Sequence, residues 1–212
     1  EEIEFFRNRR VYRKVPIEQC VKRTGKHPIK VRWVDINKGD KRRPKYRSRL
    51  VAKDIKRNAR PDLYAATPPL EALKAVLAVA AKGGKTGGLM VNDVKRAYFY
   101  APAVREVYVE LCEEDRGNGE ENMCGLLDFS MYGTRDAAQN WQIEFTKTLL
   151  NLGFQRGKSS PCVFHNKTRN IKTFVHGDDY VSAGEKKDIK WLEAELERKY
   201  EITTTIIGPE ND

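Results

Sequence analysis

The chain has 212 residues, 40% hydrophobic and 9% aromatic, which is enough for a packed core and too apolar for a wholly disordered protein. No run approaches 18 consecutive apolar residues and the opening EEIEFFRNRRVYRK has no apolar signal core, so a membrane span and secretion are disfavoured and an intracellular location is expected. The formal net charge of +10 is concentrated: between Lys38 and Arg60 eleven Lys and Arg stand against two Asp, a composition that suits a polyanionic partner, with a solvated basic surface as the plainer reading.

In chain order, residues 1–28 read as a basic, extended or irregular lead-in. From Ile29 the alternation in IKVRWVDI predicts a strand, NKGDKRRPK a turn, and YRSRLVAKD a returning strand. In that second strand Tyr46, Ser48, Leu50 and Ala52 share one face and the basic residues the other. PPLEALKAVLAVAAKGG is the clearest helix, with Pro69 in its first turn, Leu70, Leu73, Val76, Leu77, Ala80 and Ala81 on an apolar face, and Gly83-Gly84 as its stop. GLMVNDV predicts a short strand reaching Asp93, VREVYVELC another, and EEDRGNGEEN an acidic surface loop. A second helix is expected behind a Thr134 cap, with Ala138, Trp141, Phe145, Leu149 and Leu152 inward and Gly153 at its end. PCVFHN and IKTFVH then read as a hairpin turning at 167–170, YVSAG as a further strand, and residues 186–200 as a helix with Ile189, Leu192, Leu196 and Tyr200 buried. Hairpin-joined strands alternating with helices predict an α+β fold, an antiparallel sheet with helices on one face. The four cysteines (Cys20, Cys112, Cys124, Cys162) are scattered without a CxxC pair, which fits ordinary thiols in a reducing compartment.

The stretch VHGDDY, residues 175–180, poses the chemical question. Gly and Asp between apolar runs are ordinary turn punctuation, but adjacent carboxylates can also hold a metal ion. A partner exists in Asp93, which follows an apolar strand and precedes Lys95-Arg96. Hard cations such as Mg²⁺ take carboxylate oxygens and keep several waters, so two or three carboxylates and a phosphate suffice. Two such ions can activate a hydroxyl and stabilise a leaving pyrophosphate.

The run Asp93-Val94-Lys95-Arg96-Ala97-Tyr98-Phe99 resembles the DVxxAYF motif of reverse transcriptases, and the wider chain resembles the copia-type retrotransposon reverse transcriptase domain. YRSRLVAKD is similar to that family's KARLVAKG, SMYGTRDAAQNWQIEF to SLYGLKQAPRAWN, LGFQRGKSSPCVF to LGFKRSKSDPCLY, and VHGDDYVSAG to YVDDLLIAG, all in family order. The resemblance implies the fingers and palm of a right-hand polymerase over 29–201. Fingers would be mainly 29–85 and part of 113–160, palm mainly 86–112 and 161–201, with 202–212 a tail toward a missing thumb. It implies an RNA-directed DNA polymerase that joins dNTPs to a primer on an RNA or DNA template with two Mg²⁺ ions, Mn²⁺ being a possible substitute. Asp93, Asp178 and Asp179 would be the catalytic metal ligands. Tyr98 would be the gate against a ribose 2′-hydroxyl, and Lys45, Arg47, Arg49 and Lys53 the candidates for the triphosphate. Tyr132, Gly133 and Arg135 would lie under template and nucleotide, with His176 and Gly177 near the primer end. His176 and Gly177 replace the family's Tyr and Val, and Ala138 its Pro. Two alternatives stand beside this reading. An RNA-dependent RNA polymerase also carries Gly-Asp-Asp, but has an acidic residue where Tyr98 stands. A decayed element would only bind nucleic acid.

Overall fold

The computed structural model describes residues 1–55, 63 and 65–208, so Lys56, Arg57 and Arg60 of the basic block and residues 209–212 of the expected tail lie outside the described part. In chain order the helices are α1 (Glu2–Arg9), α2 (Ile17–Thr24), α3 (Leu70–Lys82), α4 (Ala137–Asn151) and α5 (Lys186–Glu197). The strands are β1 (Tyr12–Pro16), β2 (Val31–Asn37), β3 (Tyr46–Ala52), β4 (Gly87–Val94), β5 (Tyr108–Glu110), β6 (Met123–Leu127), β7 (Gln155–Arg156), β8 (Val163–Asn166), β9 (Ile171–His176), β10 (Asp179–Glu185) and β11 (Ile202–Ile207). The ladders between these strands are antiparallel, and Ile29 adds a single parallel bridge to Val109 of β5. The chain divides into two compact units, 1–64 with 98–141 and 65–97 with 142–212.

The first unit contains a three-stranded sheet in the order β1-β6-β5 and a separate ribbon of β2 and β3. Its start is folded, against the expectation of an irregular lead-in. Phe6, Val11 and Cys20 are buried, and Phe6 meets Phe99 edge-on with ring centroids 4.9 Å apart. The elements are too short to persist alone, so tertiary burial of single apolar residues among arginines stabilises them. The expected acidic surface loop also contributes a buried group. Asp115 accepts hydrogen bonds from Arg7 Nε at 2.6 Å and the Tyr12 hydroxyl at 2.8 Å, and Lys14 Nζ lies 3.7 Å away. In the ribbon, Leu50 and Ala52 are buried as the alternation requires, whereas Tyr46 on the same face is 74% exposed because β3 begins beyond the core.

The second unit is built on a six-stranded sheet in the order β11-β4-β10-β9-β8-β7. Residues directly opposite across an antiparallel pair share a face, so Leu89, Val181, Phe174 and Val163 line one side, and Met90, Ser182, Thr173 and Phe164 the other. The first side packs on α3 through Ala72, Leu73, Val76, Val79 and Ala80. Leu70 and Leu77, expected on that apolar face, are exposed, because the contact follows the 72/73/76/79/80 stripe. The second side is covered by α5, whose Ile189 lies against Gly88 and Gly184, and by Phe145 of α4 against Phe164 and Tyr180. Helices therefore lie on both faces of this sheet, not on one. The reason is visible in the strands: Ala183 and Phe174 are buried on one side and Met90, Ile171 and Tyr180 on the other, so each face requires an apolar cover.

Two further expectations change. The helix predicted behind Thr134 starts at Ala137, and the Thr134 hydroxyl instead donates to the Met131 carbonyl at 2.9 Å. Ala138, expected inward, is exposed and Ala137 is buried in its place, whereas Trp141, Phe145 and Leu149 are buried as expected. Residues 202–207, for which the sequence pattern offers no element, form β11 and pair with β4 from Ile202 opposite Val94 to Ile207 opposite Leu89. All four cysteines are free and buried, and no described helix is long and apolar enough to cross a membrane.

Candidate metal centre

Three carboxylates converge at one end of the six-stranded sheet. β10 pairs with β4 so that Asp179 lies directly opposite Asp93, and β10 pairs with β9 so that Asp179 also lies opposite His176. Only Gly177 and Asp178 separate β9 from β10. Gly177 has φ 63°, whereas Asp178 has no positive φ. Positive φ at the first central position alone is the pattern of a type II′ hairpin turn, where Gly is preferred. The Val94 N–H donates to the Asp178 carbonyl at 2.9 Å, tying this turn to the end of β4. One carboxylate oxygen from each of Asp93, Asp178 and Asp179 can be chosen so that all lie within 4.8 Å of one another.

That proximity has an electrostatic consequence. The Asp179 carboxyl is held above its ordinary range, first by burial and then by the charges of Asp178 and Asp93, with His176 acting in the opposite direction. Like charges in a partly desolvated cluster favour protonation or a bound cation. Hard oxygen donors suit a divalent cation, and Asp93, Asp178 and Asp179 offer a set of three.

The remaining expected residues lie mostly in the first unit. Tyr98 sits in a short 3₁₀ turn, its ring 4.9 Å from that of Tyr132, and the Arg49 guanidinium lies 4.8 Å from the Tyr132 ring centroid. Tyr98, Tyr132 and Arg49 thus form one aromatic and cationic cluster. Arg47 shares the Arg49 side of β3, Lys45 precedes that strand, and the Lys53 N–H donates to the Lys30 carbonyl at 2.8 Å. Gly133 has φ 84° and lies so close to β3 that a Cβ there would be 2.0 Å from the Ala52 carbonyl oxygen. The Arg135 N–H donates to Asp54 at 3.2 Å. His176 and Gly177 are in the second unit, at the carboxylate hairpin itself.

Sequence reasoning missed one organising residue. Arg105 places its guanidinium 2.5 Å from Asp54 and 2.9 Å from Asp136, tying the segment after β3 to the segment that carries Gly133 and Arg135. Asp54 closes the YRSRLVAKD stretch and Arg105 lies in VREVYVELC, but the two stand 51 positions apart. No local signal announces the pair.

A family model described as reverse transcriptase (RNA-dependent DNA polymerase) matches residues 17–207. The chain belongs to that family. It is also 26% identical, over 99% of its length, to the retrovirus-related Pol polyprotein from transposon TNT 1-94 of Nicotiana tabacum, a copia-type element. The aligned part is 16% of that polyprotein, so the chain spans about a sixth of the relative it matches. Both matches agree with the copia-type resemblance in the motifs, and the family match favours the DNA-making reading of the Gly-Asp-Asp turn over the RNA-making one.

Proposed function

We propose that this chain forms the fingers and palm of an RNA-directed DNA polymerase that transfers dNTPs to a primer 3′-hydroxyl on an RNA or DNA template. The observation that carries the proposal is the register of β4 and β10, which brings Asp93 and Asp179 face to face beside Asp178 in a chain of this family. The three carboxylates would hold two Mg²⁺ ions, with Mn²⁺ as a substitute. When bound, such ions supply Lewis acidity to the attacking hydroxyl and the leaving pyrophosphate.

The chain's own residues supply the rest. The backbones of Asp93 and Asp179 are held by the strand ladder, and that of Asp178 by the hydrogen bond from the Val94 N–H to its carbonyl, which keeps the three carboxylates at one end of the sheet. The Tyr98 ring, packed on Tyr132, fills the space of a ribose 2′-hydroxyl. Arg49, with Arg47, Lys45 and Lys53, neutralises the triphosphate from the basic ribbon. Arg49 also stacks on Tyr132, which holds its planar guanidinium in one orientation. Tyr132, Gly133 and Arg135 support template and nucleotide, and His176 and Gly177 border the primer end.

Primer extension tests this. With an RNA template, a DNA primer and Mg²⁺ or Mn²⁺, a protein containing this chain is expected to add dNTPs, and Asp178→Asn is expected to abolish addition. Extension that survives Asp178→Asn refutes the metal assignment. Equal use of rNTPs by the unmodified protein refutes the role of Tyr98. Salt-sensitive binding that is never accompanied by extension supports the binding-only alternative.

A further inference from the structure

His176 is the turn-closing partner of Asp179: the two stand directly opposite across the β9–β10 ladder and project from the same face of the sheet. Cross-strand neighbours of this kind have Cβ atoms roughly 5 Å apart, within reach of a cation shared by an imidazole and a carboxylate. The ring is exposed and packs edge-on near Phe174 at 6.5 Å. Among the described residues nothing hydrogen-bonds to its nitrogens, so a lone pair remains for a ligand. The II′ turn at Gly177 and Asp178 fixes the register that places the ring there. We propose that His176 is a fourth donor at the carboxylate centre, biasing it toward divalent cations that accept nitrogen ligands, such as Mn²⁺ and Co²⁺, over Mg²⁺.

The chemistry follows from donor type. Mg²⁺ binds oxygen and gains little from imidazole, whereas first-row transition ions accept a mixed oxygen and nitrogen set. A neutral imidazole also adds a ligand without adding another negative charge to three crowded carboxylates. This inference rests on the metal-centre reading above.

Calorimetric titration of the intact chain with Mg²⁺ and with Co²⁺ separates the two, with the visible absorption of bound Co²⁺ as a second readout. His176→Phe and His176→Gln, both at an exposed position, are expected to weaken Co²⁺ binding by about tenfold or more, the scale on which losing an ordering partner acts at metal sites. Mg²⁺ affinity should stay within about twofold, and the Co²⁺ spectrum should lose the signature of its nitrogen ligand. Equal Co²⁺ affinity and an identical spectrum in wild type and both variants, with binding still abolished by Asp178→Asn, overturns the role of His176 and leaves the metal centre standing. Parallel weakening of both metals likewise overturns it. Absence of binding by either metal, or binding unaffected by Asp178→Asn, overturns the metal centre and this inference together.

Discussion

Replacing Asp179 by Asn should make the metal-free protein more stable and remove its response to metal. Two unit charges 4.8 Å apart, the outer limit of the cluster, repel by about 0.9 kcal/mol in water and about 3.5 kcal/mol at an effective dielectric of 20. Asp179 is exposed enough to sit near the lower figure and faces two like charges, so removing its charge should gain roughly 2 kcal/mol. For a chain of this length that is about 4–8 °C in Tm. The gain has a defined pH window. Because the folded-state pKa of Asp179 is raised, its contribution to stability is present below its unfolded value and is lost as pH rises through the folded value. The advantage of Asp179→Asn should therefore be absent near pH 3 and fully developed at pH 7. Saturating Mn²⁺ should reverse the order, since a cation at a hundred times its Kd stabilises wild type by about 2.7 kcal/mol. Thermal melts in chelator and in Mn²⁺, at both pH values, test each part. A metal-free variant no more stable than wild type at pH 7, or one that keeps the full Mn²⁺ shift, would refute the reasoning.

Four other outcomes are expected. Gly133→Ala should cost at least about 2 kcal/mol, because it combines a φ of 84° with a Cβ 2.0 Å from the Ala52 carbonyl oxygen; urea denaturation measures it. Gly177→Val should cost about 1–3 kcal/mol through φ alone, since nothing lies within 4 Å of the added Cβ, and an unchanged denaturation midpoint would contradict the II′ assignment. Asp115→Ala should lose about 1–3 kcal/mol, because it removes the buried acceptor of the Tyr12 hydroxyl and of Arg7 Nε, while Lys14 keeps its pairing with Glu120. Under proteolysis the cuts should then concentrate in residues 1–28. Arg49→Ala should lower the salt slope of nucleic-acid binding by about one unit if the residue meets a phosphate, and an unchanged slope assigns Arg49 to packing on Tyr132 only.

Much of the fold was legible because its signals are local. The β2–β3 ribbon, α3, the β8–β9 hairpin and α5 follow from alternation, helical spacing and turn residues within a dozen positions. The buried start of the chain was not legible: Phe6, Val11 and Cys20 lie among arginines and lysines, and they are covered by residues about a hundred positions away, such as Phe99 and Leu127 for the first two and Tyr108 and Cys124 for Cys20. β11 was missed for a similar reason, since ITTTII becomes a strand by pairing with β4.

The amino-acid order by itself determined which chemistry was available: three aspartates, an aromatic five residues past the first, and a block of positive charge, in the arrangement of one enzyme family. It could not show that Asp93 and Asp179 face each other, because a slip of one residue in the β4–β10 register would send Asp179 to the opposite face. Only the tertiary structure decided that register, through the Val94 N–H bonded to the Asp178 carbonyl and through apolar layers on both faces of the sheet. The β9–β10 register, set by the II′ turn at Gly177, placed His176 beside the carboxylates, where the sequence had shown only a replaced tyrosine.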